Sequence, residues 1–106
     1  MKVFVLRQAE RELAAAPIEV RADVLALFED LEAGKNLSMP ISRPLPSIAK
    51  GLHELRLSYR AGEYRVFYVI KVGTAIYVLH ATSKKTQRMD KRITEVIHAR
   101  LRSLGL

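Results

Sequence analysis

Along the chain, hydrophobic and polar positions change period several times. Residues 2–7 alternate and are rich in β-branched and aromatic types, the pattern of a strand. Residues 8–15 are polar and alanine-rich and read as a short helix. Pro17 suits the first position of a second helix, where its missing N–H costs nothing. In that helix Val20, Val24, Leu27, Phe28 and Leu31 recur at spacings of three and four and form one apolar stripe. Gly34 is its stop, and residues 35–50, with Pro40, Pro44 and Pro46, read as an irregular loop.

The period then becomes two. Leu55, Leu57 and Tyr59 share one strand face, and Glu54, Arg56 and Ser58 share the other. Ala61-Gly62 marks a turn into a strand over 63–72, and Gly73-Thr74 turns it into a third over 75–82, an antiparallel meander. Over 90–104, Ile93, Ile97, Leu101 and Leu104 return to helical spacing behind Asp90, a suitable N-cap. The expected fold is α+β: a single domain over 1–106, ordered β-α-α-β-β-β-α. Its sheet is twisted and mainly antiparallel, with two N-terminal helices on one face and a C-terminal helix. The opposite face is expected to be partly open.

Charge sharpens this picture. Residues 1–49 carry six lysines and arginines against seven acids, whereas residues 50–106 carry twelve against four. All the basic excess behind the net +7 therefore lies in the C-terminal half, as suits a surface that meets a polyanion. The chain has no cysteine, which removes disulfides and thiolate metal sites. The histidines His53, His80 and His98 lack metal-site spacing, so no metal or other cofactor is expected. The chain begins on strand-like sequence rather than a charged and then apolar leader. Its apolar runs are shorter than the ~18–20 residues of a membrane span, so a soluble, cytoplasmic protein with no membrane partner is expected.

Three segments carry candidate chemistry. They are GLHELRLSYRAGEYRVFYVI from residue 51, IYVLHATSKKTQ from residue 76, and the basic terminal helix. Together they resemble the phage-derived HigB-like branch of the RelE/ParE toxin superfamily. The resemblance runs from about residue 2 to residue 104 and is most specific over 51–87, with a Leu-x-Glu-Leu-Arg strand, an Arg-x-x-Tyr strand and a histidine closely followed by Lys-Lys-Thr. Ala81-Thr82 stands where relatives often carry Gly-Phe. The resemblance implies a RelE-like domain acting as the toxin of a type II toxin–antitoxin pair. It further implies a metal-independent endoribonuclease that cuts messenger RNA on the ribosome, held in check by a helix-turn-helix, HigA-like antitoxin.

The residue types suit that chemistry. Cleavage by 2′-hydroxyl attack needs a base for the hydroxyl, cations for the phosphorane and a proton for the leaving 5′-oxygen. Arg56 and Arg65 can each hold two phosphate oxygens. Glu54 and His80 are candidates for proton transfer, with His80 kept neutral by nearby cations. Lys84 would grip phosphate or donate a proton, and Lys85, Arg60, Arg88 and Lys91 would bind RNA phosphates. With Arg65 on an open sheet face, its replacement by alanine would leave the fold intact and remove activity.

Each residue also has a plainer reading. Glu54 and Arg56 could form a surface ion pair, His80 could be a core histidine, and Lys84-Lys85 a solvated turn. Tyr59, Tyr64, Tyr68 and Tyr77 could serve in packing, and His53 and His98 in structural roles. Two other functions compete with the nuclease: a toxin of the same fold that binds DNA gyrase without cutting RNA, and a plain nucleic-acid-binding module. A titratable group beside arginines favours the nuclease over the first. Sheet aromatics set among apolar residues speak against the second.

Overall fold

The computed structural model describes residues 1–71, 75–84 and 90–106. Strand β1 (Lys2–Val5) leads into helix α1 (Arg7–Ala14) and then helix α2 (Ile18–Glu32). Pro17 precedes the first turn of α2, and the chain leaves the helix through Gly34 at φ +82°. A short strand β2 (Ser42–Pro44) follows, then β3 (Leu52–Tyr59), β4 (Gly62–Lys71) and β5 (Ala75–Lys84). Helix α3 (Lys91–Ser103) closes the chain, with the Asp90 carboxylate accepting the Arg92 N–H at 2.8 Å.

The sheet order is β1-β5-β4-β3-β2, antiparallel except where β1 runs parallel to β5. Strand β2 corrects the expectation of a wholly irregular loop over 35–50: Ser42, Arg43 and Pro44 pair with Leu55, Glu54 and His53. Three residues carry no readable period, and an edge position tolerates the proline.

One sheet face lies under α1 and α2. There Val20, Val24, Phe28 and Leu31 pack with Leu55, Leu57, Val66 and Tyr68. The other face is less open than the sequence suggests, because α3 covers part of it. Ile93, Ile97 and Leu101 bury against Leu52, Phe67, Val69 and Leu79. The apolar stripe of α3 needs a partner, each such side chain contributing ~1.5–3 kcal/mol on burial. The run Val66–Val69 of β4 is apolar on both of its faces because it is sandwiched between helices. Gly51 lets the chain enter β3 close to β4; its φ is +77°, and a Cβ there would lie 2.7 Å from the Ile70 carbonyl oxygen.

The ladder between β4 and β5 shifts register at Phe67/Tyr68: Phe67 pairs with His80, but Tyr68 pairs with Val78. Leu79 is the extra residue of a bulge. It joins the cluster beneath α3, while His80 next to it stacks on Phe67 of the same cluster. Two consecutive residues thus serve the same side of the sheet, which strict alternation would forbid.

Candidate functional site

Beyond the cover of α3, the register sets side chains of three strands in rows. Glu54, Phe67 and His80 form one row; Arg56, Arg65 and Thr82 the next; Ser58, Glu63 and Lys84 the third. The two-residue turn Arg60-Ala61 makes Tyr59 and Gly62 a hydrogen-bonded pair, so Arg56–Arg65 and Ser58–Glu63 are non-bonded pairs with closer side chains. Two arginines directly opposite each other repel unless carboxylates intervene.

Glu54 and Glu63 supply them. Arg65 Nη1 donates to Glu54 Oε2 at 2.9 Å, and Arg65 Nη2 to Glu63 Oε1 at 2.7 Å. Arg43 Nη2 lies 3.0 Å from Glu54 Oε1, and Arg56 Nη2 lies 3.6 Å from Glu63 Oε2. The Arg43 contact is Coulombic rather than a well-aligned hydrogen bond, since neither Arg43 Nε nor Glu54 Oε1 makes one. Three guanidinium groups face two carboxylates, so the cluster carries one net positive charge.

The side chains of Glu54 and Arg65 are both 0% exposed, which corrects two expectations. Arg65 is not a surface guanidinium, and Glu54–Arg56 is not a surface pair. Arg65 is enclosed by its own carboxylates, with Phe67 ahead of it on the strand and Arg56 opposite. Glu54 points both oxygens at cations. Arg56 at 15% and Arg43 at 31% side-chain exposure are the arginines of the cluster that reach solvent. Periodicity gave no signal for Arg43, which sits in a three-residue strand whose position only the pairing with Glu54 reveals.

His80 belongs to a second network that sequence reasoning missed. Glu12 on α1 and Arg100 on α3 meet it from opposite sides of the sheet. His80 Nδ1 lies 3.0 Å from Glu12 Oε2. Arg100 donates to Glu12 Oε1 at 2.7 Å, to Glu12 Oε2 at 3.0 Å and to the Leu79 carbonyl at 2.8 Å. The Ala81 N–H also donates to Glu12 Oε1, and the Tyr64 hydroxyl donates to the Glu12 backbone carbonyl, at 3.2 Å each. Arg100 Nη1 also approaches His80 Nδ1 to 3.2 Å, but a guanidinium cannot accept, and Nδ1 cannot both receive that proton and donate to Glu12. We assign the proton on Nδ1 to Glu12, which leaves the Nε2 lone pair as the basic position of the ring. In sequence Glu12 looks like a solvated residue of a polar helix, and Arg100 like surface charge outside an apolar stripe.

Burial lowers the His80 pKa, and the charge of Arg100 adds to it; Glu12 opposes both without reversing the direction. Burial raises the carboxyl pKa of Glu12, but the hydrogen bonds from Arg100 and His80 outweigh it and hold Glu12 below its usual value. Burial also pushes the Tyr64 hydroxyl up to about 12, keeping it a proton donor to the Glu12 backbone carbonyl.

The linkage of these shifts to stability has a definite sign. As pH falls below the usual histidine value of 6.5, the unfolded chain binds the His80 proton before the folded chain does, so stability declines. As pH falls below 4.5, the unfolded Glu12 protonates first, and a second loss follows. Urea midpoints measured from pH 8 to pH 3 should fall in both windows. Glu12→Gln should flatten the lower one; a Glu12→Gln curve parallel to wild type throughout would refute this account.

Of the remaining candidates, Arg60 is exposed in the β3–β4 turn and Lys91 is exposed at the start of α3. Lys84 is opposite Glu63 in the register, though its side chain, like Lys85 and Arg88, lies outside the described residues. His53 bonds the Gly51 carbonyl at 3.0 Å and stacks on Tyr68, while His98 bonds the Ile48 carbonyl at 2.8 Å, both anchoring loops. Among the described residues no group of three or more histidines and carboxylates could hold a metal ion.

Among solved structures, the fold is similar to the toxin–antitoxin complex RelBE2 of Mycobacterium tuberculosis. The TM-score is 0.55 at 23% identity, over 80% of this chain and 92% of that one. It is also similar to the E. coli toxin RelE, solved free as a double arginine-to-alanine mutant, with TM-score 0.50 and 18% identity over 96% of this chain and 95% of that one. No curated protein matches the sequence. The chain shares its fold with these RelE structures. The chain itself belongs to the family described as phage-derived protein Gp49-like, whose model matches residues 11–102 and so spans both networks.

Proposed function

We propose that this protein is the toxin of a type II toxin–antitoxin pair and cleaves messenger RNA on the ribosome by 2′-hydroxyl attack. The observation that carries the reading is an imidazole held by the Glu12 carboxylate, one row from an arginine cluster of net positive charge. His80 Nε2 takes the proton of the 2′-hydroxyl. The 2′-oxygen attacks the adjacent phosphorus, and Arg56 and Arg43 neutralise the charge that builds on the phosphorane oxygens. The bond to the 5′-oxygen breaks, and Lys84 or Lys85 returns a proton to it. The products are a 2′,3′-cyclic phosphate and a 5′-hydroxyl. Glu54 and Arg65, buried, act as positioning residues that hold Arg56 and Arg43 toward solvent. The residues supply all three tasks without a cofactor.

The partners follow from the same reading. The basic C-terminal half would face ribosomal and messenger RNA, with Arg60, Lys85, Arg88 and Lys91 on phosphates. A helix-turn-helix, HigA-like antitoxin would block it, and the site of action would be the cytoplasm. Among the described residues no helix is long and apolar enough to cross a membrane. Induced expression with mapping of RNA ends tests the reading. New ends should appear only while messages are being translated, and an antibiotic that strips ribosomes of message should abolish them. Growth arrest with intact messages and altered DNA supercoiling would replace it with gyrase inhibition.

A further inference from the structure

A cavity of about 490 Å³ opens beside the arginine cluster, between α2, the chain at Pro40–Ile41 and the edge of β3. That is the size of a small-molecule or nucleotide pocket. Leu27, Pro40 and Ile41 give it apolar walls, and Asp23, Ser58, Arg56 and Glu63 give it polar ones, Glu63 being engaged by Arg65.

Strand β2 ends its pairing at Leu55, so among the described residues no strand covers β3 beyond that point. The Arg56 N–H points to this side, donating to the Ile41 carbonyl at 2.8 Å. By the alternation of an antiparallel ladder, the Arg56 carbonyl and both backbone groups of Ser58 point the same way, into the cavity. The carboxylate of Asp23 makes no hydrogen bond or ion pair among the described residues. The cavity therefore offers apolar walls, the Asp23 carboxylate, a backbone donor and a backbone acceptor, next to an arginine shared with the proposed cleavage site.

We infer that this cavity is a subsite that reads a guanine base beside the scissile phosphate. The inference rests on the nuclease reading and adds the base it selects. A carboxylate accepts two adjacent N–H donors, and guanine presents N1–H and the 2-amino group side by side. Adenine, cytosine and uracil each place an acceptor beside their donor, which a carboxylate repels. The Ser58 N–H is available to the guanine O6, and the apolar walls hold the ring faces. Asp23 is exposed on α2 and belongs to neither network, so it can be replaced without disturbing the fold.

Two measurements separate this inference from the reading beneath it. The purified protein is titrated with guanosine, adenosine, cytidine and uridine 3′-monophosphates, following backbone NMR shifts at Asp23 and Ser58. Guanosine monophosphate should bind roughly 10-fold or more tighter than the others, and Asp23→Asn should abolish that margin, because loss of a bidentate contact removes discrimination of this size. RNA ends from wild type and from Asp23→Asn are then mapped. Wild type should show guanine enriched next to the cut, and the variant should cut with that enrichment lost. Equal binding of the four nucleotides, or a preference that survives Asp23→Asn, overturns the subsite even if RNA is cut. Selective guanosine monophosphate binding without any RNA cutting upholds the subsite and overturns the nuclease reading.

Discussion

Arg65→Ala should destabilise the fold by ~3–5 kcal/mol, the cost of stripping the partner from a buried ion pair. Against a total stability of ~5–15 kcal/mol for a domain of ordinary size, that leaves much of the protein unfolded at growth temperature. The reasoning turns on Glu54, whose side chain is fully enclosed and whose Oε2 depends on Arg65 at 2.9 Å. Arg43 remains on the other oxygen, but it is partly exposed and poorly aligned. Glu63 also loses its shortest partner. Removing both members of the pair should hurt less than the sum of the single changes, so Glu54→Gln combined with Arg65→Met should recover part of the loss. Urea unfolding of wild type, Glu54→Gln, Arg65→Met and the double variant completes the cycle. A loss below ~1 kcal/mol for Arg65→Ala would be the behaviour of a surface pair and would reject the buried-network account. Loss of the proposed activity in Arg65→Ala alone therefore says little about chemistry until the folded fraction is known.

Under the proposed nuclease reading, His80→Gln should keep most of the shape and a hydrogen bond to Glu12 while lowering the cleavage rate roughly 100- to 10,000-fold, the range for removal of a general base. Wild-type cleavage should fall on the acid side with an apparent pKa below the usual histidine value, because burial and Arg100 disfavour the imidazolium. Above that pKa the neutral ring is fully available and the rate levels off. Glu12→Gln gives an independent check, since Glu12 acts through His80 rather than on substrate. Without the carboxylate the imidazolium loses the Glu12 charge that stabilises it, so the acid limb should move to still lower pH. The plateau should drop as well, because Nδ1 is no longer held as the donor. A purely structural role for Glu12 would lower the amount of folded protein but leave the limb in place. An unchanged profile in His80→Gln would return His80 to a packing role.

How legible these features were differs by element. The apolar stripes of α2 and α3, the three long strands and their turns could be read from period alone, because burial of one face writes that period directly into the sequence. Helix and strand ends moved by only a few residues. Strand β2 could not be read, since three residues hold no period and its pairing depends on partners nine to thirteen positions away. The charge asymmetry and the group Glu54, Arg56, Arg65 and His80 stood out in sequence. Their burial did not: strand alternation places Arg65 on the face opposite the α1–α2 core, and that face usually meets water.

What the sequence by itself determined was therefore the elements, the fold class and the residue types offered for RNA chemistry. Tertiary structure decided which of those residues meet each other and solvent. Helix α3 folds over the second sheet face, and Glu54 and Glu63 close over Arg65, taking it out of water. The Leu79 bulge turns His80 toward the site, where Glu12 and Arg100 reach it from 68 and 20 residues away. The physical reason is range. Hydrogen-bond periodicity is local and repeats every two or 3.6 residues, so it leaves a mark along the chain. An ion pair or a proton relay joins residues distant in sequence through one contact each, and such contacts leave no period to read.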